Sequence, residues 1–479
     1  MRLSILVAAT LVVVVLAFLL GKRHARRLQR SRRIHIDRFK LKRRHADIEL
    51  EVFASRQVVD AIHDYAKSHR VTTEAATKQA KVYLREIVPK FNLLAYYRFG
   101  APIARAIVNF LYRVVVERKP LRGFNDKVPK GTAVVYVINH RSNVDYVLVA
   151  HMLFKFISLS YAVGEWARVW PLNHLFKWFG AYFIRRRYRE PLYHAVLSQF
   201  VQTITKNGVT QGIFLEGGLT RDGAFQKPKL GMLDYIVTSK RGGDFSAPLY
   251  LVPTSINYDR VLEDRNLTEE LMGKEDRSTK VEKLRTTFEF LFKNAIRSTF
   301  RRFKRYGYAV VTFGEPVSVD DAIREHPSLL APTFEERKPE MQRLADLVME
   351  RISDAIPVTP VTIAARVFAD HAGETEVAEQ TIVADIERYR HEWSDRIWLM
   401  REKAATDIWR AARDILRFRH LIEVVVGGWR WKPEEQMLRD YYARSLMTFD
   451  EVRRRGWPER PKRGEAAKPA AAAASVPAS

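Results

Sequence analysis

The sequence predicts an α/β protein: a largely parallel sheet covered by helices, with N- and C-terminal helical regions and one N-terminal transmembrane helix. Short β-branched or aromatic runs recur between about Pro129 and Val319, at Ala133–Ile138, Leu159–Val163, Ala181–Ile184, Gly212–Leu215, Tyr250–Ile256 and Ala309–Phe313. Helical segments such as Leu192–Thr205 and Glu282–Arg301 alternate with them. Strands separated by helices need crossover connections, and therefore parallel pairing. The membrane helix rests on Leu3–Leu20, an uncharged apolar run interrupted only by Ser4 and Thr10 and just long enough to cross a bilayer core.

Each element follows in order. Residues 1–21 are expected to be a retained anchor, since only Arg2 precedes the apolar run and Gly21-Lys22-Arg23-His24 follows it. A cleaved signal peptide would need a basic leader and a small-residue cleavage site. Residues 22–47 form a basic juxtamembrane segment carrying Arg26, Arg27, Arg30, Arg32, Arg33 and Lys42 among others. The positive-inside rule then puts the remaining chain on the cytoplasmic side of the cell inner membrane. Close to an anionic leaflet, each such basic residue adds roughly 1 kcal/mol of attraction.

Residues 48–125 are expected to be helical, since Ile48–Val116 carries apolar residues at helical spacing with few breakers. Within it, Tyr96–Leu111 is amphipathic and suits an ordinary packing helix somewhat better than one lying on a membrane. Residues 126–320 make up the α/β domain, and 321–457 a C-terminal helical region rich in Arg, Glu, Ala and Trp. The tail at 458–479 has no apolar pattern to bury and is expected to be disordered.

The chain of 479 residues has 81 Lys+Arg against 55 Asp+Glu, a net charge of +26 that points to phosphorylated substrates, lipid headgroups or nucleic acid. With no cysteine, disulfides, thiolate catalysis and cysteine-based zinc sites are excluded.

Four segments at predicted strand ends carry chemistry, where α/β sheets usually build their sites. The first is Asn139-His140-Arg141-Ser142-Asn143-Val144-Asp145. Five residues along a helix turn a side chain by roughly 500°, so His140 and Asp145 meet only if the chain turns between them. Ser142 and Asn143 are good N-cap types for the helix that follows. A carboxylate accepting one ring N–H fixes the imidazole tautomer and leaves the other nitrogen as a general base. Taken alone, such a pair is more often a polar turn.

The second segment, Gly180 to Arg187, ends in three guanidiniums that suit a phosphate or make a surface patch. The third contains Glu216-Gly217-Gly218-Leu219-Thr220-Arg221. Its glycines permit backbone N–H groups to face an anion, while Glu216 accepts from a hydroxyl or an arginine. The fourth, Leu251 to Tyr258, is an apolar strand with Pro253 inside it.

Together and in this order, the four segments resemble the motifs of the glycerolipid acyltransferase superfamily: H-x4-D, G-x-x-F-I-x-R, F-x-E-G-x-R-S-x and an apolar proline-bearing block. Within that superfamily the chain is most similar to the bacterial membrane-bound glycerol-3-phosphate 1-O-acyltransferases. Pro191-Leu192-Tyr193, Glu270 to Glu275, Arg305 to Pro316 and Leu438 to Ser445 extend the likeness. One departure stands out, since Leu219 replaces the first arginine of the third block and leaves only Arg221.

The resemblance implies acyl transfer from acyl-CoA or acyl-ACP to the sn-1 hydroxyl of glycerol 3-phosphate, the first step of phospholipid synthesis. It implies no cofactor, metal or nucleic acid, and anionic membrane lipids as the surrounding partners. His140 would act as general base oriented by Asp145, and Arg185, Arg186 and Arg221 would hold the acceptor phosphate. Backbone donors at Gly217 and Gly218 would meet the oxyanion. Lysophosphatidate or dihydroxyacetone phosphate are the rival acceptors, and an acyl-enzyme on Ser142 is the rival mechanism. A non-catalytic, membrane-anchored basic scaffold is the remote alternative.

Overall fold

The valine-rich run Ala133–Ile138 forms strand β2, central in an eight-stranded sheet. The other strands are β1 (Arg113–Val116), β3 (Ser160–Val163), β4 (Ala181–Phe183), β5 (Gln211–Phe214), β6 (Leu249–Tyr258), β7 (Tyr308–Phe313) and β8 (Val317–Ser318). Their order is β1-β7-β6-β2-β5-β3-β4, with β8 antiparallel on β6. The pairings of β2 with β5 and β6, and of β3 with β4 and β5, are parallel. Side chains of β2 and β6 are nearly all buried, which is why both read as continuous apolar runs rather than alternating ones.

The computed structural model describes residues 45–88, 101–117, 132–153, 160–163, 181–185, 188–272 and 306–457. These fall into two compact units: residues within 1–218, 228–257 and 297–357 in the first, and residues within 219–227, 258–296 and 358–479 in the second. The predicted helix Glu282–Arg301, the apolar run Leu3–Leu20, most of the basic segment and the tail at 458–479 lie outside the described residues. Among the described residues, no helix is long and apolar enough to cross a membrane.

The first unit contains the sheet. Helix Pro191–Lys206, started by a proline in its first turn, buries Leu192, Tyr193, Val196, Phe200 and Ile204. Helices Arg56–His69 and Thr73–Ile87 pack on it. Helix Phe334–Asp354 opens with a capping box at Thr333 and Glu336. The buried guanidinium of Arg337 joins it to helix Leu230–Val237 through Asp234, at 2.7 and 3.0 Å. One expectation fails here. Arg113–Val116, expected to be helical, is edge strand β1, paired in register with Tyr308–Val311. Three consecutive valines favour a strand once a partner edge exists, but following helix Ala101–Leu111 they read as more of the same apolar pattern.

The second unit is mostly helical, and it also departs from expectation. Ile422–Val425 (β9) and Gly428–Trp431 (β10) form an antiparallel hairpin where helix was expected. Its tryptophans belong to an aromatic core. The Trp409 ring lies 5.7 Å from Trp429 and 6.1 Å from Phe368, which in turn lies 5.6 Å from Trp431. Arg419, Asp264 and Tyr442 form a buried polar knot, with the Arg419 guanidinium donating to Asp264 at 2.6 Å and to the Tyr442 hydroxyl at 3.0 Å.

Candidate active site

The site begins where β2 ends. Ile138 is level with Phe214 of β5 and Thr254 of β6, so residues just beyond it emerge at the carboxyl ends of β2 and β5, alongside the continuing strand β6. Asn139 locks that exit. Its amide donates to the Ile256 carbonyl at 3.0 Å and accepts from the Ile256 N–H at 2.7 Å. The motif reading did not single out Asn139, whose only sequence signal is its place directly before His140.

The chain then turns as expected, although the helix begins later, at Asp145. Ser142 makes the turn, its hydroxyl accepting the Val144 N–H at 3.1 Å and its carbonyl the Asp145 N–H at 3.0 Å. The turn brings His140 Nδ1 to 2.9 Å from Asp145 Oδ2. The same oxygen accepts the backbone N–H groups of Arg141 at 2.8 Å and Ser142 at 3.0 Å. A carboxylate is an acceptor only, so Nδ1 carries the proton and Nε2 presents its lone pair. His140 is 1% exposed and Asp145 0%, so the pair works in a medium where electrostatic interactions are strong.

Two aromatics hold the imidazole, both from the motif-bearing stretches of the sequence but with no role expected for either. Phe214 stacks on it at 4.2 Å and 31°, and Tyr146 meets it edge-on at 5.3 Å. The Tyr146 hydroxyl lies 3.4 Å from Nε2.

The third block contributes through Glu216, which is buried and accepts the backbone N–H of His140 at 2.9 Å. Gly217 follows in a left-handed conformation, φ +67°, and a Cβ there would come within 2.9 Å of the Lys229 side chain. Its N–H closes a turn onto the Phe214 carbonyl at 3.1 Å, which removes it from the expected oxyanion donors. Gly218 follows in a bend, still in the first unit.

The arginines divide. Arg185 lies just past β4, and its guanidinium forks onto Glu86, with Nε at 3.1 Å and Nη2 at 2.8 Å. Arg186 lies outside the described residues. Arg221 belongs to the second unit, where its Nε donates to Glu270 at 2.7 Å. Next to it, Gly223 (φ +86°) is pressed so close to the Tyr441 carbonyl that a Cβ would sit 1.8 Å from the oxygen. No group of three or more metal-ligating side chains occurs among the described residues.

A buried histidine–carboxylate pair thus stands just past the end of a parallel strand, with one imidazole nitrogen bound to the carboxylate. Residues 123–257 match the acyltransferase family, and residues 292–448 match the glycerol-3-phosphate acyltransferase C-terminal region.

Among curated relatives, a glycerol-3-phosphate acyltransferase of Aeromonas hydrophila subsp. hydrophila is 29% identical over 71% of this chain and 42% of its own length. One from Pseudomonas fluorescens is 30% identical over 64% of this chain and 36% of its own, and one from Shewanella loihica 28% over 72% and 43%. The chain thus spans about two fifths of the length of these relatives. A solved structure, the 1-acyl-sn-glycerophosphate (LPA) acyltransferase PlsC from Thermotoga maritima, aligns with 63% of this chain and 86% of that one. Its 18% identity and TM-score of 0.29 are too low to bear on the fold.

Proposed function

We propose that the protein transfers an acyl group from an acyl thioester, carried on CoA or ACP, to the sn-1 hydroxyl of glycerol 3-phosphate, committing the acceptor to phospholipid synthesis. The observation that carries this reading is the Nδ1–Asp145 hydrogen bond at 2.9 Å, which leaves Nε2 as the basic nitrogen of a buried imidazole. The acceptor hydroxyl gives its proton to Nε2. Its oxygen attacks the thioester carbonyl, and the C–S bond breaks as the thiolate leaves and takes up the proton from the imidazolium. General-base catalysis of this kind contributes about 10²–10⁴-fold. Asp145 holds the tautomer and stabilises the imidazolium.

Arg185 and Arg186 are the groups we assign to the acceptor phosphate, and Leu219, which replaces the first arginine of the third block, is the reason to compare acceptors directly. Direct transfer is favoured over an acyl-enzyme because the Ser142 hydroxyl is built into the turn through Val144. The N-terminal apolar run and the basic segment behind it would hold the catalytic unit at the cytoplasmic face of the inner membrane, among anionic lipids. Purified protein given one labelled acyl-CoA with glycerol 3-phosphate, dihydroxyacetone phosphate or lysophosphatidate in parallel tests the reading. Label in lysophosphatidate from glycerol 3-phosphate alone is the expected result, and no acylation of any acceptor with either thioester would sink it.

A further inference from the structure

Arg185 is held by a residue that no motif contains. Glu86, on helix Thr73–Ile87, lies 99 positions earlier in the chain and meets the guanidinium through both carboxylate oxygens. Three tyrosines complete the enclosure. The guanidinium carbon is 4.7 Å from the Tyr188 ring centroid, 5.8 Å from Tyr83 and 5.9 Å from Tyr193. The tyrosines brace each other, with Tyr83 and Tyr188 sharing a hydroxyl–hydroxyl hydrogen bond of 2.6 Å and all three rings packed edge-on at 5.4–5.8 Å. The Tyr193 hydroxyl also accepts the backbone N–H of Arg185 at 2.9 Å.

An arginine has five N–H donors in a rigid fork. Among the described residues, the hydrogen bonds of this guanidinium run from Nε and Nη2, and the side chain is 25% exposed. A freely rotating arginine would lose much of its side-chain entropy on capturing a phosphate, and here the carboxylate and the tyrosines have already removed it.

We infer that Glu86 is the positioning residue of the acceptor-phosphate site, fixing Arg185 by one edge so that the opposite edge is presented to a phosphate dianion. The N-terminal helices are then part of acceptor recognition and not only a cover on the sheet. This inference rests on the reading of Arg185 as a phosphate ligand, and the test separates the two.

In the full chain, the KM for glycerol 3-phosphate, kcat and the inhibition constant of inorganic phosphate are measured for Glu86→Ala, Glu86→Gln, Arg185→Ala and the unaltered protein. Thermal unfolding confirms that each variant is folded. Glu86→Ala is expected to raise KM and the phosphate inhibition constant roughly 10-fold with kcat held, the size of one charged hydrogen bond. Glu86→Gln, which retains the shape and one acceptor oxygen, is expected to restore most of the loss. Arg185→Ala is expected to raise both constants at least as much. If Arg185→Ala raises them and Glu86→Ala does not, the role of Glu86 is wrong while the ligand reading stands. Unchanged constants in Arg185→Ala overturn the ligand reading and the inference with it.

Discussion

The backbone N–H of His140 donates to Glu216 Oε1 at 2.9 Å, so the carboxylate of the third block fixes the backbone of the first. The two lie 76 positions apart and meet because β2 and β5 are parallel neighbours ending level at Ile138 and Phe214. Glu216 therefore acts through His140. Glu216→Gln retains an acceptor oxygen and should keep kcat within a few fold, whereas Glu216→Ala leaves a buried N–H without its partner. That loss is worth about 1–3 kcal/mol, roughly 10-fold or more in kcat, with KM for the acceptor little changed. A steady-state comparison of the two variants checks the split.

His140→Ala and Asp145→Ala should both lower kcat, by about 10²–10⁴-fold for the loss of the base. They should differ in stability. Oδ2 of Asp145 accepts three donors in a fully buried site, so Asp145→Ala strands them and should cost about 1–3 kcal/mol or more. Denaturant titration is expected to rank Asp145→Ala as the less stable of the two alanine variants. Wild-type turnover by either alanine variant would overturn the mechanism.

Gly217 is held at φ +67° against Lys229. Ala at that position should destabilise by about 1 kcal/mol, since the left-handed region is disfavoured for a residue with a Cβ, and the flexible Lys229 chain can move aside. Gly223→Ala is the harsher change. There the obstacle is the Tyr441 carbonyl, which is backbone and cannot rotate away, so the second unit should unfold at markedly lower denaturant. Urea melts of both variants check the order.

His371 gives the second unit a pH dependence. Its Nδ1 meets Glu374 at 2.5 Å and its Nε2 meets Asp385 at 2.7 Å. Those hydrogen bonds, Glu374 first, raise the imidazole above its ordinary 6.5. A group that is more basic when folded contributes stability fully present below pH 6.5 and lost as the pH rises through the raised value. Melting temperatures from pH 5.5 to 9 should fall more steeply for the unaltered protein than for His371→Gln, and parallel curves would refute this.

Much of the sheet was legible because strands buried on both faces leave continuous β-branched runs. Ala133–Ile138 and Tyr250–Ile256 correspond to β2 and β6 with only small shifts of boundary. The His140–Asp145 pair was legible because its geometry is local: a strand end, a polar turn and a helix start fit within seven residues. Where elements lay next to others of similar composition, the signal failed. β1 hid behind the apolar helix before it, and the β9–β10 hairpin hid among arginine- and tryptophan-rich helices.

By itself, then, the sequence determined the kind of fold and the meeting of His140 with Asp145. Only the tertiary structure decided the partners: Glu216 on the His140 backbone, Glu86 on Arg185, Glu270 on Arg221, and Phe214 and Tyr146 around the imidazole. The physical reason is range. Turn chemistry and hydrophobic periodicity act over a few residues and are written in the order of the chain. A carboxylate 99 positions away enters an arginine's fork only after strands and helices have packed, and no local pattern records it.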